Sequence, residues 1–76
     1  MKNKNALFDL KDRIGERLIS TIYLSGLEHF ETTVFDIENS YHVVFNKNYE
    51  TEKMARRGHQ EIVNDVSKNP DKYKIE

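Results

Sequence analysis

The chain of 76 residues carries a net charge of −1 and contains no cysteine. A core of this size rarely supplies more than about 3–5 kcal/mol of net stability, which indicates one small domain over residues 1–76. The absence of cysteine excludes a disulfide framework and a thiolate metal site, and no apolar run approaches the roughly 20 residues of a membrane helix. Because the start also lacks a signal-peptide pattern, we expect a cytoplasmic protein whose segments 1–5 and 71–76 are frayed.

Charge is distributed unevenly along the chain. Residues 18–46 contain no lysine or arginine, and the acidic residues among them are Glu28, Glu31, Asp36 and Glu38. Proteins that bind nucleic acid usually present a basic face to the phosphates. A nucleic-acid reader built on a sheet from this block is therefore disfavoured.

The N-terminal segment has two interpretations. Leu7, Leu10 and Ile14 have helical spacing, and the glycine that follows Ile14 would suit a helix C-cap. The same residues also fit a short extended piece with a polar turn at residues 11–13. We favour a short helical turn over residues 6–14.

Three segments rich in β-branched and aromatic residues follow, at residues 17–24, 30–37 and 41–46. Turn residues separate them at Ser25-Gly26 and at residues 38–40. These connections are too short for crossovers, so the segments predict an antiparallel meander.

Pairing of compatible side chains predicts the register of this meander. Aromatic, hydroxyl and aliphatic residues face their like, and one pair of opposite charges faces across the first hairpin, as sheet stability favours. The predicted pairs are Tyr23–Phe30, Thr21–Thr32, Ile19–Val34 and Arg17–Asp36, and in the second hairpin Phe35–Val43, Asp36–His42 and Ile37–Tyr41.

Alternation along the strands separates the side chains into two faces. One face is almost wholly apolar and is expected to lie under a helix; it comprises Leu18, Ile22, Leu24, Phe35, Ile37, Tyr41, Val43 and Phe45. The opposite face is either covered by the N-terminal segment or, as we favour, contacts a partner protein or a second copy; it comprises Ile19, Tyr23, Phe30, Val34 and Val44. Small monomers rarely leave such an apolar patch open without use.

The segment after the third strand is the one long helix that the sequence predicts. Thr51 suits its N-cap, and Asn69 ends it, because a residue before proline avoids helical torsions. Its apolar stripe is Ala55, Gly58, Ile62 and Val66, with Met54, His59 and Val63 beside it. A mid-helix glycine costs about 1 kcal/mol, so we expect Gly58 to let the helix approach the sheet. The predicted fold is α+β, a three-stranded antiparallel meander packed on a C-terminal helix, in αβββα order if the N-terminal turn is helical.

Three blocks of the sequence carry a resemblance: ISTIYLSGLEH from Ile19, FETTVF from Phe30 and YETEKMARRGHQEIV from Tyr49. Together they resemble a family of small bacteriophage and prophage proteins whose pattern is STV[FY]LGLDH, then FETMVF, then YxTxEEAxxGHxxIV. The resemblance implies a phage-type accessory protein with three strands and a helix, and it implies no catalytic role. Family members often carry a Gly/Pro-rich insertion where His29 here adjoins Phe30, and Met54 replaces an acidic residue of the family's helix start.

The histidines and carboxylates offer one candidate metal site. His29, His59 and Glu31 carry groups that suit zinc. The competing interpretation, which we favour, is that His59 packs at the edge of the core and hydrogen-bonds a carbonyl at a strand end. We therefore expect no metal and no cofactor.

Basic residues near the helix start form a candidate anion site: Lys47, Lys53, Arg56 and Arg57. With the helix N-terminus they could hold a phosphate or an acidic partner. The alternative, which we favour, is a solvated helix face on which Arg57 lies near Glu61.

No residue pattern predicts catalysis. A nucleophilic site needs a hydroxyl beside a base and a third, orienting group, and Ser20 is expected to point towards the core without such partners. We predict a non-enzymatic accessory protein that binds a host or phage protein stoichiometrically, the more specific version being inhibition of a host defence system such as a CRISPR nuclease. The alternatives are nucleic-acid binding through the basic residues and, less favoured, a small metal-dependent enzyme at His29 and His59.

Overall fold

A computed structural model describes residues 8–26 and 28–74 of the chain. Its elements in chain order are β1 (Asp9–Ile14), β2 (Arg17–Leu24), β3 (His29–Asp36), β4 (His42–Tyr49) and α1 (Glu52–Lys68), with 3-10 turns at Ile37–Asn39 and Pro70–Lys72. The strands form one antiparallel sheet in the order β1-β2-β3-β4. The α+β class and the meander are confirmed, and the count of three strands is wrong because β1 adds a fourth.

Strand β1 replaces the helical turn that was expected at residues 6–14. That expectation is wrong for residues 9–14, and its first two residues lie outside the described part of the chain. Leu10 and Ile14 misled because a spacing of four residues fits one face of a strand as well as one face of a helix. Ile14 pairs with Arg17 across a two-residue turn, in which Gly15 has a φ of 59° that glycine adopts without strain.

The register of the hairpin between β2 and β3 is confirmed. The observed pairs are Arg17–Asp36, Ile19–Val34, Thr21–Thr32 and Tyr23–Phe30, as expected. Between β3 and β4, Phe35–Val43 and Asp36–His42 are also confirmed, but Ile37–Tyr41 is wrong because Ile37 begins a 3-10 turn. A register shift after Val34 places that residue opposite Phe45, which leaves Val44 as the extra residue of a β-bulge.

Helix α1 lies on the face of the sheet opposite to the expected one, and we call the face that it packs on the covered face. Ile19 and Val34 are 0% exposed and form a core with Ile62, Val66 and Tyr73. A second cluster joins Phe8, Tyr49 and Ala55. The expected interaction surface thus lies on the covered face, where Ile19 and Val34 are core residues and do not reach a partner. The other three residues are partly buried against these two clusters: Tyr23, Phe30 and Val44.

The apolar set that was expected under the helix instead marks the other face of the sheet, which we call the open face. By strand alternation the open face carries Leu18, Ile22, Leu24, Phe35 and Val43. Phe45 is the exception, because the bulge brings it opposite Val34, where it packs against the core. The grouping of residues within β2 and β3 was correct, and the choice of which group the helix covers was wrong.

The predicted helix is confirmed, together with both of its ends. The hydroxyl oxygen of Thr51 accepts a hydrogen bond from the backbone N–H of Met54 at 3.1 Å, and the N–H of Asn69 donates to the carbonyl of Asp65 at 2.7 Å. The buried residues of α1 are Ala55, Gly58, His59, Ile62 and Val66. A Cβ at Gly58 would collide with the ring of Tyr49, so this glycine lets the helix approach the sheet as expected.

The segment after α1 packs on the core. Tyr73 is buried, and its ring centroid lies 5.6 Å from that of Phe45. Nε of Arg17 donates a hydrogen bond to the carbonyl of Tyr73. The expectation of a frayed tail is therefore wrong for residues 71–73, while residues 1–5, 75 and 76 lie outside the described part of the chain. No helix in residues 8–26 and 28–74 is both long and apolar enough to cross a membrane.

Candidate functional site

A chain of hydrogen-bonded side chains runs beneath α1 through the middle of the covered face. Nε2 of His59 lies 2.8 Å from Oδ2 of Asp12, and its Nδ1 lies 2.6 Å from the hydroxyl of Thr21. That hydroxyl lies 2.6 Å from the hydroxyl of Thr32. His59 and both threonines are buried, and Asp12 reaches the solvent. The chain thus ties β1, β2 and β3 to the helix.

A neutral imidazole satisfies every group in this chain. In the tautomer with the hydrogen on Nε2, Thr32 can donate its hydroxyl hydrogen to Thr21, Thr21 can donate to Nδ1 of His59, and the Nε2–H of His59 can donate to Asp12. Each hydroxyl donates once, and no donor is left over. His59 is therefore a packing and hydrogen-bonding residue as expected, but its partners are two side chains rather than the carbonyl of a strand end.

The order carboxylate, imidazole, hydroxyl is also the order of a nucleophilic catalytic site. Here the hydroxyl of Thr21 lies wholly beneath the helix, at 0% exposure. A reacting carbonyl has to come within about 3 Å of a nucleophile, and the packing of α1 on the sheet occupies that space. The arrangement is suited to holding the helix in place. Ser20, expected to point into the core, instead pairs with Thr33 on the open face.

The two histidines of the candidate metal site lie on opposite sides of the sheet. His29 pairs with Leu24 on the open face, whereas His59 is buried under α1. Glu31 also lies on the open face, where Nδ2 of Asn46 donates to it at 2.9 Å. Among the residues that the structure describes, no group of three or more histidine and carboxylate side chains is arranged to hold a metal ion.

Two of the basic residues near the helix start already have neighbours within the fold. Nε of Arg56 lies 2.9 Å from Oε2 of Glu52, and its guanidinium carbon lies 4.9 Å from the ring centroid of Phe8. Nζ of Lys47 lies 5.4 Å from the ring centroid of Tyr49. The ion pair of the helix face is thus Glu52–Arg56, a spacing of four residues like that expected for Arg57 and Glu61. Lys53 and Arg57 are exposed.

The acidic residues of the strand block do not form one acidic face. Asp36 is buried on the covered face, with Oδ1 lying 3.5 Å from the guanidinium of Arg17. Glu31 lies on the open face, and Glu28 and Glu38 lie in the two connections that flank β3. Electrostatic attraction to a basic partner is therefore not a property of the sheet as a whole.

Hydrogen bonds to the carboxylate of Asp65 fix the C-terminal segment to α1. The carboxylate of Asp65 accepts hydrogen bonds from the hydroxyl of Tyr73 at 2.6 Å, from Lys72 at 2.7 Å and from Asn69 at 2.9 Å. The hydrogen bonds from Lys72, Tyr73 and Asn69 lower the pKa of Asp65 from 3.8 to about 2. Burial, and then the hydrogen bond to Asp65, raise the pKa of Tyr73 from 10.0 to about 12.

One row of side chains on the open face crosses all four strands. Arg13 pairs with Leu18, Leu18 pairs with Phe35, and Phe35 pairs with Val43. The ring of Tyr41 meets that of Phe35 edge-on, with centroids 6.4 Å apart. Tyr41 is 56% exposed and Val43 is 49% exposed. We call Leu18, Phe35, Tyr41 and Val43 the Tyr41 patch; no other element of residues 8–26 and 28–74 covers it.

The turn that carries Tyr41 has an unusual backbone for its residues. Ser40 and Tyr41 both have a φ of 59°, and they end the connection between Asp36 and His42 that begins with the 3-10 turn. Positive φ suits glycine and asparagine, whereas a bulky residue with positive φ is an outlier. Strain of this kind costs about 1–3 kcal/mol per residue and is concentrated at functional sites. The fold thus holds an aromatic ring in solvent at a position where glycine would be preferred.

Comparison with protein-family models, with curated proteins and with solved structures found no match. The bacteriophage resemblance therefore stays a prediction. The sequence offers little signal for Tyr41, because its positive φ follows the 3-10 turn at Ile37–Asn39, which no residue pattern predicted. The expected three-residue turn at residues 38–40 also concealed its position, since it placed Tyr41 in the strand.

Proposed function

We propose that this protein acts by stoichiometric binding of another protein, and that the Tyr41 patch is its contact surface. The observation that carries the proposal is the exposed tyrosine in a left-handed turn. Local preference alone would select glycine or asparagine at this position. A side chain that is kept against the backbone's preference, and that is not buried in the core, has its use outside the fold.

The chemistry of the patch suits a protein partner. Hot spots of protein interfaces are enriched in tyrosine and arginine, and a single one is worth about 2 kcal/mol or more. Tyr41 supplies an aromatic ring with only two side-chain torsions to fix, and Phe35 restrains the ring from one side. Arg13 lies at the far end of the same row, 61% exposed. A row that is apolar at its centre and charged at one end resembles the centre and rim of a small interface.

The biological setting that we propose is a phage-type accessory protein that binds a host protein. Support for this setting comes from the three sequence blocks that resemble small bacteriophage proteins, and from a fold whose hydroxyl–imidazole–carboxylate chain is closed to substrates. Inhibition of a host defence system, for example a CRISPR nuclease, is the most specific form of the proposal. It rests on the resemblance and on the small size of the chain.

The test is affinity purification from an expressing bacterial host, with wild type and two variants compared side by side. Tyr41→Asn keeps a residue that tolerates positive φ and removes the ring. Met54→Gln is the matched control, because Met54 is 50% exposed but lies on α1, on the other side of the sheet. We expect Tyr41→Asn to lose the proteins that co-purify with wild type, and Met54→Gln to retain them.

Stability separates this outcome from simple unfolding. Tyr41→Asn relieves backbone strain and gives up only one edge-on aromatic contact, worth about 0.5–1.5 kcal/mol. Its melting temperature should therefore equal or exceed that of wild type. Retention of every co-purifying protein by a folded Tyr41→Asn variant would refute the assignment of the patch.

A further inference from the structure

The edges of the sheet are poorly suited to association. On the β1 edge the open-face residues Asp9, Lys11 and Arg13 are all charged. On the β4 edge a bulge at Val44 interrupts the ladder, and Lys47 lies in the same strand. Charged residues, lysine and bulges are the devices by which natural sheets block edge-to-edge pairing. A second protein is therefore expected to approach a face of the sheet, and within residues 8–26 and 28–74 the open face is the one that α1 does not cover.

The row from Arg13 through Leu18 and Phe35 to Val43, which we call the Tyr41 row, has ends of complementary charge. Its β1 end carries Arg13, and its β4 end carries Tyr41 and adjoins the 3-10 turn that contains Glu38. A guanidinium is attracted to the face of an aromatic ring and to a carboxylate. When one row lies antiparallel on a second copy of itself, each cationic end meets an aromatic and acidic end.

We propose that a second copy of this chain covers the Tyr41 patch in the free protein, as a two-fold symmetric dimer with open faces packed together. The inference rests on the proposed function, because it adds self-association as a competitor for the same surface. In this dimer β1 of each copy lies over β4 of the other, and β2 lies over β3. Leu18 of one copy then faces Phe35 of the second copy, and Arg13 faces Val43 and Tyr41.

The direction of the two-fold axis follows from the charges. An axis parallel to the strands places row on row and brings Arg13 over the aromatic end of the other copy. An axis perpendicular to the strands and lying along this row would instead place Arg13 over Arg13 of the second copy, and like charges in direct opposition are repelled. Two sheets that pack face to face keep their strands within about 30° of each other, which the parallel axis satisfies.

The size of the face makes this dimer weak. Four strands about 4.8 Å apart and six to eight residues long, at about 3.3 Å per residue, give a face of roughly 400–500 Å². Two copies would bury roughly 800–1,000 Å² in total, at the lower limit of specific interfaces. We expect a dissociation constant on the order of 100 µM, so a target protein with an interface of ordinary size displaces the second copy.

Sedimentation equilibrium over about 10 µM to 1 mM measures this association, and charge exchange tests its geometry. Arg13→Glu and Glu38→Arg should each weaken the dimer by at least about tenfold, and the two together should restore it to within about threefold of wild type. Lys11→Glu is the control, because Lys11 lies on the same strand and face but two residues away, in the row with Ser20. It should change the dissociation constant by less than about twofold.

Disulfide cross-linking tests the axis directly, because the chain contains no cysteine. A mixture of the Arg13→Cys and Val43→Cys variants should give mixed dimers faster than either variant alone gives its own dimer. Preferred cross-linking of Val43→Cys to itself would indicate the perpendicular axis and would overturn the proposed dimer. Failure of the double charge variant to recover association would overturn it as well.

The two proposals fail in different ways. A wild type that is monomeric at about 1 mM, while Tyr41→Asn loses its co-purifying proteins, refutes the dimer and leaves target binding intact. A wild type that dimerises as described, while Tyr41→Asn retains every co-purifying protein, refutes target binding through the patch and leaves the dimer intact.

Discussion

The two faces of the sheet contrast in a way that their compositions would not suggest. The covered face has threonine hydroxyls at its centre and an arginine–aspartate pair at one end, yet Thr21, Thr32 and Asp36 are all buried. The open face also carries large apolar side chains, yet Tyr41 is 56% exposed and Val43 is 49% exposed. What distinguishes the faces is whether their polar groups find partners when water is removed. Burial follows hydrogen-bond satisfaction as well as hydrophobicity.

Partners for the covered face come from distant parts of the chain. Nδ1 of His59 on α1 is hydrogen-bonded to the hydroxyl of Thr21, and Nε2 of His59 is hydrogen-bonded to the carboxylate of Asp12 on β1. At the other end, Asn39 donates to Asp36 at 2.7 Å, and Arg17 donates to the carbonyl of Tyr73. On the open face the hydrogen-bonded side chains are exposed: Asn46 donates to Glu31 and Thr33 at 2.9 Å, and Lys11 donates to Asp9. Among the described residues, Oδ1 of the buried Asp36 has no hydrogen-bond partner, and its nearest cation is the guanidinium of Arg17 at 3.5 Å.

The largest expected difference in stability is between a variant with a lysine on the covered face and a variant with a lysine on the open face. Val34→Lys would bury an unpaired ammonium at a position that is 0% exposed, at a cost of several kcal/mol against a total stability of about 3–5 kcal/mol. We expect loss of the cooperative thermal transition by circular dichroism. Val43→Lys on the open face should melt within a few degrees of wild type. A folded Val34→Lys variant would show that the helix does not cover this face.

Close approach of α1 to the covered face depends on Gly58. Gly58→Ala places a methyl group against the buried ring of Tyr49, and overpacking of this kind costs about 1–3 kcal/mol. On an exposed helix face the same change would stabilise the protein. Denaturant unfolding of Gly58→Ala in the wild-type and Tyr49→Val backgrounds separates the two cases. The cost should disappear in the Tyr49→Val background, and a cost that is unchanged there would contradict the proposed contact.

A matched pair of threonines compares hydrogen bonding on the two faces. Thr21→Val keeps the shape of the side chain but removes the hydroxyl that is hydrogen-bonded to both Thr32 and His59, which should cost about 1–2 kcal/mol. Thr33→Val removes one of two acceptors of an exposed asparagine and should stay within about 0.5 kcal/mol of wild type. Equal costs in denaturant unfolding would mean that the buried chain contributes no more than the exposed one.

The smallest effect is expected from pH, because Asp65 is partly exposed and solvent screens its charge. Its pKa is lowered from 3.8 to about 2, so its contribution is present above pH 3.8 and is lost as the pH falls towards 2. The pKa of Tyr73 is raised from 10.0 to about 12, so its contribution is present below pH 10 and is lost as the pH rises towards 12. In Tyr73→Phe the loss of stability above pH 10 should diminish in denaturant titrations. An unchanged alkaline limb would contradict the role of Tyr73.

Local patterns predicted most of the sheet and all of α1. Cross-strand pairing gave the register of β2 and β3, because each residue type faces a compatible one at the expected position. The cap at Thr51 and the proline after Asn69 gave both ends of the helix. These signals act between neighbours along the chain or across one hairpin, and a sequence displays them directly.

The errors arose where distant residues decide the outcome. Asp12 interrupts the apolar alternation of β1, because it is the partner of His59 on the far side of the fold, and without that partner the segment looked helical. Gly15 misled for a related reason, since a helix C-cap and a tight hairpin both favour a glycine with positive φ. The covered face was misjudged because Thr21 and Thr32 look polar until His59 is brought to them.

The connectivity of the sheet also has a consequence for the order in which the protein assembles. Every strand pairs with its neighbour in the chain, so the meander can close through successive hairpins, each with a short loop and a small entropy cost. The contact between Asp12 and His59 spans 47 residues and has to wait for the helix to dock. Until then the hydroxyls of Thr21 and Thr32 are hydrated, and the sheet presents two similar faces to an incoming amphipathic helix. Docking on the open face would leave His59 without its hydrogen-bond partners. The buried imidazole therefore favours docking of the helix on the covered face.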